Sequence, residues 1–495
     1  MDHWQKIGYL PAAQIRDLQN KKLCVFINRY LYPFSPYYRN LFDKNKIAPE
    51  KIKTISDLEN IPFTSKHNFV DFPDGSAAAH IKQFILQPDI EKIKRAWPIN
   101  ELLRLKFLSI FKGSQYVQEI LEEEFRPVFI TFTTGTTQKP ISYLYTKYDI
   151  GNLHLSGARM VNLFDIKKSD HLVSFFPFAP HLAFWQVVFG GLSATVLIMS
   201  TGGGKVMGTG GNIAILEKMK PSVIIGVPSY VYHVLRAAKE QGCRLDFVKK
   251  VVLGAAKAPI AFKVKLAELL ECMGAREVSV FGTYGFTEAR CAWAECPTTN
   301  DLSSGYHLYP DKEIFEIIDP DTGKVKKEGE DGELVYTSID SRGSSVLRYR
   351  TGDFVKGGIV YEPCPHCRRT VPRISNDISR ISDVQDIQIS KVKGALVNFG
   401  NFSEVFAGFK EIEEWQIELC KKDNDPFEVD QLMVYICPRE GVNREALTDA
   451  IQRQLLLKTE VSANTVNFIP LPEMIRRLEL ETSNKEKRIL DRRPK

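Results

Sequence analysis

From residue 128 onward, short runs of apolar and β-branched residues alternate with longer stretches whose apolar positions recur every three or four residues. The short runs cover 128–131, 172–175, 194–199, 223–226, 251–253 and 278–281. Rich in apolar and β-branched residues, they predict strands. The stretches between them, such as 230–241 and 260–273, carry the spacing of amphipathic helices. That alternation predicts an α/β chain with mainly parallel, doubly wound sheets. After about Asn300 the texture changes: 313–318, 332–337 and 354–361 predict a small antiparallel β region, with the turn Asp319-Pro-Asp-Thr-Gly323 between the first two. The last hundred or so residues read as strand 414–420, strand 431–437, helix 444–458 and strand 465–470, a small α+β unit with an antiparallel sheet. A boundary near Ser379 divides the chain into a large domain, 1–378, and a small domain, 379–495.

Two stretches test this pattern. Residues 182–199 carry no charge, but Pro177, Pro180, Gln186, Gly190 and Gly191 break up the surrounding run. The expectation is a buried helix over 183–189 ended by the glycine pair, then a strand over 194–199, in place of a membrane span. The glycine-rich run 201–211 fits neither the Walker nor the GxGxxG template and reads as a mobile loop.

At 495 residues the chain exceeds what one core usually serves, which agrees with two domains. Lys and Arg number 66 against 60 acids, a balance too mild for nucleic acid but compatible with anionic small molecules such as ATP or coenzyme A. The first ten residues lack a secretory pattern, so a cytoplasmic location is expected. Nine scattered cysteines suit reduced thiols.

Three segments carry candidate chemistry. Thr133-Thr-Gly-Thr-Thr-Gln-Lys-Pro140 follows a predicted strand, and its hydroxyls and Gly135 offer donors to a polyphosphate. Tyr284-Gly-Phe-Thr-Glu288 follows the strand at 278–281, where a doubly wound sheet presents its carboxyl ends to ligands. It sets an aromatic face for a purine, a hydroxyl for a phosphate and a carboxylate for magnesium within five residues. In Arg348-Tyr-Arg-Thr-Gly-Asp353 the acid could accept hydrogen bonds from ribose hydroxyls. A fourth, Cys364-Pro-His-Cys367, has the spacing of a metal knuckle that lacks a local partner pair.

In this order the segments resemble the adenylate-forming superfamily of acyl-CoA synthetases, and within it the phenylacetate-coenzyme A ligase-like branch. Further matches are Phe34-Ser-Pro-Tyr-Tyr-Arg39, Ile61-Pro-Phe-Thr-Ser-Lys66, Pro228-Ser-Tyr230, Gly254-Ala-Ala-Lys-Ala-Pro259, Glu295-Cys296, Gly305-Tyr-His307 and, near the end, Asn484-Lys-Glu-Lys-Arg488. The resemblance implies that Thr133, Thr134, Gly135, Thr136, Thr137 and Lys139 hold the phosphates. Tyr284 would pack on adenine, Gly285 belongs to the same cofactor site, Gly254 and Ala255 would line the base, Thr287 would touch the α-phosphate and Glu288 would help bind Mg²⁺. Asp353 would hold the ribose, Arg380 belongs to a loosely matched hinge with Asp383, and Lys485 would bridge the acyl carboxylate and the α-phosphate. Lys393-Gly394 looks like the segment that enters the site for thioester formation. His181 aligns beside the acyl pocket, which Phe176, Phe178 and Trp185 could line. Cys296 and His307, in segments matching the branch, would complete a structural Zn²⁺ site with Cys364 and Cys367, with Cys291 or His366 as substitutes. Gln138 and Asn484 depart from the family pattern, each standing where a glycine is usual.

The expected activity is therefore acid plus ATP to acyl-AMP and pyrophosphate, then transfer to coenzyme A with release of AMP, on an aromatic or arylacetic acid. Transfer to a protein thiol or an amine, and a degenerate nucleotide-binding protein without catalysis, stand as alternatives. A homodimer is left open.

Overall fold

The structure is a computed structural model that describes residues 3–70, 77–133, 141–380, 391–392, 395–396, 399–421, 430–459, 461–481 and 486–492. Strands β1 (Pro127–Phe132) and β2 (Ser142–Thr146) form a separate antiparallel hairpin. The 128–131 run was expected to open the parallel series. It stands apart because its faces differ: Val128 and Ile130 are exposed, whereas Thr131 is buried.

Five strands make the parallel part of a nine-stranded sheet: β3 (His171–Ser174), β4 (Leu197–Ser200), β5 (Val223–Gly226), β6 (Lys250–Leu253) and β7 (Ser279–Phe286). Their spatial order is β4-β3-β5-β6-β7, so the winding reverses between β3 and β5. All four residues of β5 are buried, the mark of a strand covered on both faces. Helix Pro228–Glu240 begins with proline at a position that needs no amide donor. Beyond β7 the sheet turns antiparallel through β8 (Cys291–Ala294), β9 (Tyr306–His307) and the short strands Arg373–Ile374 and Ile359–Val360.

Gly190 and Gly191 do not end their helix, which runs from Leu182 to Ala194. Thr195, left-handed at φ 54°, closes it, so the next strand starts only at Leu197. The glycines serve close packing: a Cβ on Gly191 would stand 2.9 Å from Ile198 Cγ2, and Gly190 faces Gly157 of helix Lys147–Leu163. The glycine-rich run is also more ordered than its composition suggests. Gly202 and Gly203 take positive φ, and helix Gly204–Met219 follows with a break at Gly208. Buried Asn212 spans that break, its Nδ2 donating to Gly208 O at 2.7 Å and Gly203 O at 3.3 Å.

The strands β10 (Glu313–Ile318), β11 (Gly332–Ser338) and β12 (Tyr349–Val355) form an antiparallel sheet that Ile378–Arg380 completes. The third strand starts at Tyr349, earlier than the pattern predicted, because Tyr349 pairs with Tyr336 while Val355 reaches Gly332. A last sheet joins Ile412–Lys421 antiparallel to Asp430–Pro438, flanked by Thr465–Phe468 and Ile489–Asp491. Both flanking strands are parallel to their neighbours, so this sheet is mixed and not antiparallel as expected. The helix Arg444–Thr459 supplies one of the long crossovers that parallel pairing requires. Its Ile451 and Leu455 pack with Ile417, Leu419 and Val434 in a core separate from the main one. Among the described residues, no helix is long and apolar enough to cross a membrane.

Candidate active site

In an open, doubly wound sheet the carboxyl ends of adjacent strands part where the winding reverses, leaving a crevice for ligands. Here that place lies between β3 and β5. Phe175, just past β3, donates its amide to Ile225 O at 2.7 Å, and Gly254, just past β6, donates to Gly226 O at 3.1 Å. The strand ends are thus continuous with the segments expected to bind a nucleotide.

A cavity of about 450 Å³ opens beyond the ends of β1, β3 and β4, lined among others by Phe132, Thr133, Phe178, His181, Lys205 and Val206. Thr133 is anchored by its own neighbours: its amide donates to Ile141 O and its Oγ accepts from Ile141 N, both at 3.0 Å. Thr134, Gly135, Thr136, Thr137, Gln138 and Lys139 lie outside the described residues. His181 precedes helix Leu182–Ala194, and its Nδ1 donates to Phe132 O at 3.1 Å, which fixes the ring against β1. Phe178 lines the cavity, but Trp185 does not. Trp185 packs instead on Phe129 and Phe189, at centroid distances of 4.9 and 5.8 Å, because its helix turns it toward the β1–β2 hairpin.

Gly254 is buried, and a Cβ there would stand 2.5 Å from Thr283 Oγ1, so only glycine lets the backbone pass. Ala255 follows in the left-handed region at φ 65°, a conformation that costs a residue with a Cβ roughly 1 kcal/mol or more. Gly285 is exposed near the end of β7, and Thr287 and Glu288 follow it in the turn toward β8.

The densest polar geometry sits between β7 and β12. Tyr284 Oη donates to Asp353 Oδ2 at 2.6 Å, and Arg380 Nε lies 3.1 Å from Asp353 Oδ1. Arg380 opposes Asp353 across the strand pair, so the register itself brings the charges together. Burial first, then the Asp353 charge, pushes the Tyr284 hydroxyl far above its usual range, so it stays a proton donor. The Asp353 charge is the leading influence that raises Arg380 and keeps it cationic. Tyr349 Oη donates to Glu288 Oε1 at 2.8 Å. The sequence reading missed Tyr349, although alternation offered a signal: Tyr349, Thr351 and Asp353 share one buried face of β12.

On the opposite flank of the crevice, Leu480, Glu481 and Glu486 approach Lys205 and Tyr230 across a narrow cleft. Thr209 Oγ1 donates to Glu481 Oε1 at 2.7 Å, and His233 Nε2 stands 3.5 Å from the same oxygen. Lys485 lies outside the described residues, between Glu481 and Glu486, as do Asp383, Lys393 and Gly394.

Cys296, His307, Cys364 and Cys367 converge with all their ligand atoms within 4.8 Å of one another. The Cys296 and Cys364 sulfurs are 3.7 Å apart, and Cys367 Sγ is 3.3 Å from His307 Nε2. Tetrahedral zinc at ordinary bond lengths would set about 3.8 Å between two sulfurs and about 3.5 Å between sulfur and nitrogen. The donor set therefore fits zinc. His307 Nδ1 faces Ala294 O at 3.4 Å, the second contact that orients a metal-binding imidazole. Neither Cys291 nor His366 belongs to the cluster. The Cys291 sulfur is instead 3.9 Å from Glu313 in a separate buried network.

Comparison with known proteins adds the following. The sequence model for the AMP-binding enzymes matches residues 44–343. A phenylacetate-coenzyme A ligase from Aromatoleum evansii is 26% identical over 498 residues, covering 97% of this chain and 95% of that protein. One from Thermus thermophilus is 24% identical over 387 residues, covering 78% and 74%. The crystal structure of a 2-hydroxyisobutyryl-CoA ligase in the postadenylation state, complexed with R3-HIB-AMP, superimposes with a TM-score of 0.74 at 19% identity. That likeness, one of fold, covers 99% of this chain and 92% of the other.

Proposed function

This chain belongs to the AMP-binding enzyme family, and from that premise we propose that it is an ATP-dependent carboxylate–coenzyme A ligase. A carboxylate oxygen of the acid attacks the α-phosphorus of ATP, and the bond to pyrophosphate breaks. The coenzyme A thiolate then attacks the acyl carbon of the adenylate, and AMP leaves. What carries this reading is the polar constellation of Tyr284, Asp353, Arg380, Tyr349 and Glu288 around the carboxyl end of β7.

Two anions must meet in the first step, so the barrier falls only where fixed donors and cations offset their repulsion. Asp353, held by Tyr284 and Arg380, is oriented to accept from the ribose hydroxyls. Glu288, held by Tyr349, supplies an oxygen ligand for Mg²⁺, which would neutralise phosphate charge. Thr133 to Thr137 and Lys139 are assigned to the phosphates, Thr287 to the α-phosphate, and Lys485 to the bridge between the two anions. The segments flanking Lys485 border the crevice, which supports that role.

The cavity beside Phe178 and His181 suits an apolar acid, and an aromatic or arylacetic acid is the class we assign. Zinc held by Cys296, His307, Cys364 and Cys367 is structural, since a four-ligand site leaves no open position for chemistry. We place the domain boundary at 378/379, with residues 379–495 as the mobile small domain, and the protein in the cytoplasm. A homodimer belongs to the same proposal.

The deciding experiment is isotope exchange between pyrophosphate and ATP across a panel of acids, followed by mass spectrometry for acyl-CoA. Exchange with at least one aryl acid, and the matching thioester, are expected. Exchange without a thioester would move the acceptor to a protein thiol or an amine. No exchange with any acid would overturn the reading.

A further inference from the structure

Helix Ile99–Lys112 and helix Ser114–Phe125 form a hairpin joined at Gly113, whose φ is 91°. Leu102 and Leu105 of the first helix pack against the main core. Among the described residues, the other side of this helix is exposed. Ile99, Leu103, Phe107, Ile110 and Phe111 are 59–76% exposed. At 3.6 residues per turn they fall within an arc of about 120°. The Phe107 and Phe111 rings lie 4.3 Å apart, centroid to centroid, so they form one apolar surface.

Cations frame this stripe. Lys106 projects about 20° beyond one edge and Arg104 about 20° beyond the other. Residues 90–112 hold six basic side chains and two acidic ones. Ion pairs engage Lys92, Lys94 and Arg104, and the Arg95 charge acts on Glu91, which leaves Lys106 and Lys112 without an ion-pair partner among the described residues. The glutamates of the second helix face other partners: Glu119 accepts from Gln115, Glu122 pairs with Arg126, Glu123 with Lys147 and Glu124 with Arg342.

A second copy of the chain is a poor occupant for this face. Pairing the stripe with itself would bring two rows of cations together. Its footprint, roughly 20 Å by 10 Å, is also small beside the ~800 Å² per partner of a stable specific interface. A negatively charged bilayer meets both conditions. Its headgroups complement the cations, and its acyl boundary accepts exposed leucine, isoleucine and phenylalanine side chains without a matching surface.

We propose that this helix docks the enzyme on the surface of an anionic phospholipid bilayer. The helix lies in the plane of the interface, the five apolar side chains enter the acyl boundary, and Lys106 and Arg104 reach back to lipid phosphates along their alkyl stems. The test is co-sedimentation of the full chain with two kinds of vesicle: phosphatidylcholine alone, and equal parts phosphatidylcholine and phosphatidylglycerol. Binding at least about tenfold tighter to the charged vesicles is expected from two or more basic residues at the surface. Phe107→Ser with Phe111→Ser should remove it, and Arg104→Glu with Lys106→Glu should abolish the preference for charge. Both variants should keep the wild-type circular dichroism and pyrophosphate exchange, since the stripe is no part of the crevice. Absent binding, equal binding to both vesicles, or binding that survives the phenylalanine substitutions overturns the proposal. So does a solution dimer that the same substitutions dissolve, because the face would then belong to a second copy.

Discussion

Glu313 is a completely buried carboxyl whose Oε1 accepts from Trp293 Nε1 at 2.6 Å and from Tyr309 N at 2.8 Å. Burial outweighs those two bonds and raises its pKa from 4.5 to about 8. Because the folded value lies above the unfolded one, the stability it contributes is complete below pH 4.5 and is lost as pH rises toward 8. Each pH unit inside that window removes about 1.4 kcal/mol. Glu313→Gln keeps an acceptor and removes the titration, so its melting temperature should gain on wild type steadily from about pH 5 to about pH 8. A difference constant across that range would mean that the carboxyl is already ionised in the fold. At the same scale Asp353 was legible from its motif, an acid next to a tight glycine, although it lies within β12 and not in a turn. Its companions Tyr284 and Arg380 were named separately, but their convergence on it was not legible, since it depends on β12 lying between β11 and Ile378–Arg380.

Helix Lys147–Leu163 offers a controlled comparison at the scale of the element. A Cβ on Gly157 would stand 2.4 Å from Gly190 Cα and 2.8 Å from Gly190 N, and backbone on both sides cannot give way cheaply. Gly151, on the same helix, has nothing within 4 Å of that position. Gly157→Ala should therefore destabilise by about 1–3 kcal/mol, the range for overpacking. Gly151→Ala should be neutral or slightly stabilising, because alanine favours helix. Equal effects in urea denaturation would show that the helices move apart freely. The Cys296, His307, Cys364 and Cys367 cluster makes a second prediction. It ties the end of β8, β9 and the knuckle at Cys364 and Cys367, so freshly purified, chelator-free protein should hold about one zinc per chain by metal analysis. Cys364→Ser should lower the melting temperature more than the affinity for ATP, because a closed site contributes to folding. The two-residue spacing of the knuckle was plain in the chain. Its partners lie 57 or more positions upstream, and β9 pairing with Arg373–Ile374 carries them in.

At the scale of the whole molecule, the elements from Phe399 onward rest on the preceding part of the chain through polar contacts. Lys265 Nζ donates to Ile412 O at 2.8 Å, Arg236 Nε lies 3.4 Å from Glu413 and Thr209 holds Glu481. An interface built this way can release at modest cost, as the proposed movement of Lys485 would require. If Lys485 acts only while the adenylate forms, Lys485→Ala should slow adenylation on the order of 10²- to 10³-fold. Thioester formation from synthetic acyl-AMP should survive, because that step would use the Lys393-Gly394 segment. Lys487 is the control: its Nζ is 2.5 Å from Glu479 in a half-exposed pair, so Lys487→Ala should affect adenylation much less. Equal losses in both half-reactions for Lys485→Ala would place that residue in folding or general binding.

The linear chain alone determined the strands β5, β6 and β7, the helices between them and the order of the motifs, because each rests on local periodicity or on neighbours within a few residues. It also named Cys296, His307, Cys364 and Cys367, which converge in the fold, once their segments were matched. Tertiary structure decided what Gly190 and Gly191 do, since a glycine that ends a helix and one that admits another helix look the same in one dimension. It decided that 201–211 carries a helix, through the buried side chain of Asn212, and that the last sheet is mixed, through crossovers whose direction no single strand records. Only the fold could pair Tyr349 with Glu288 and turn Trp185 away from the cavity, because both depend on which elements become neighbours.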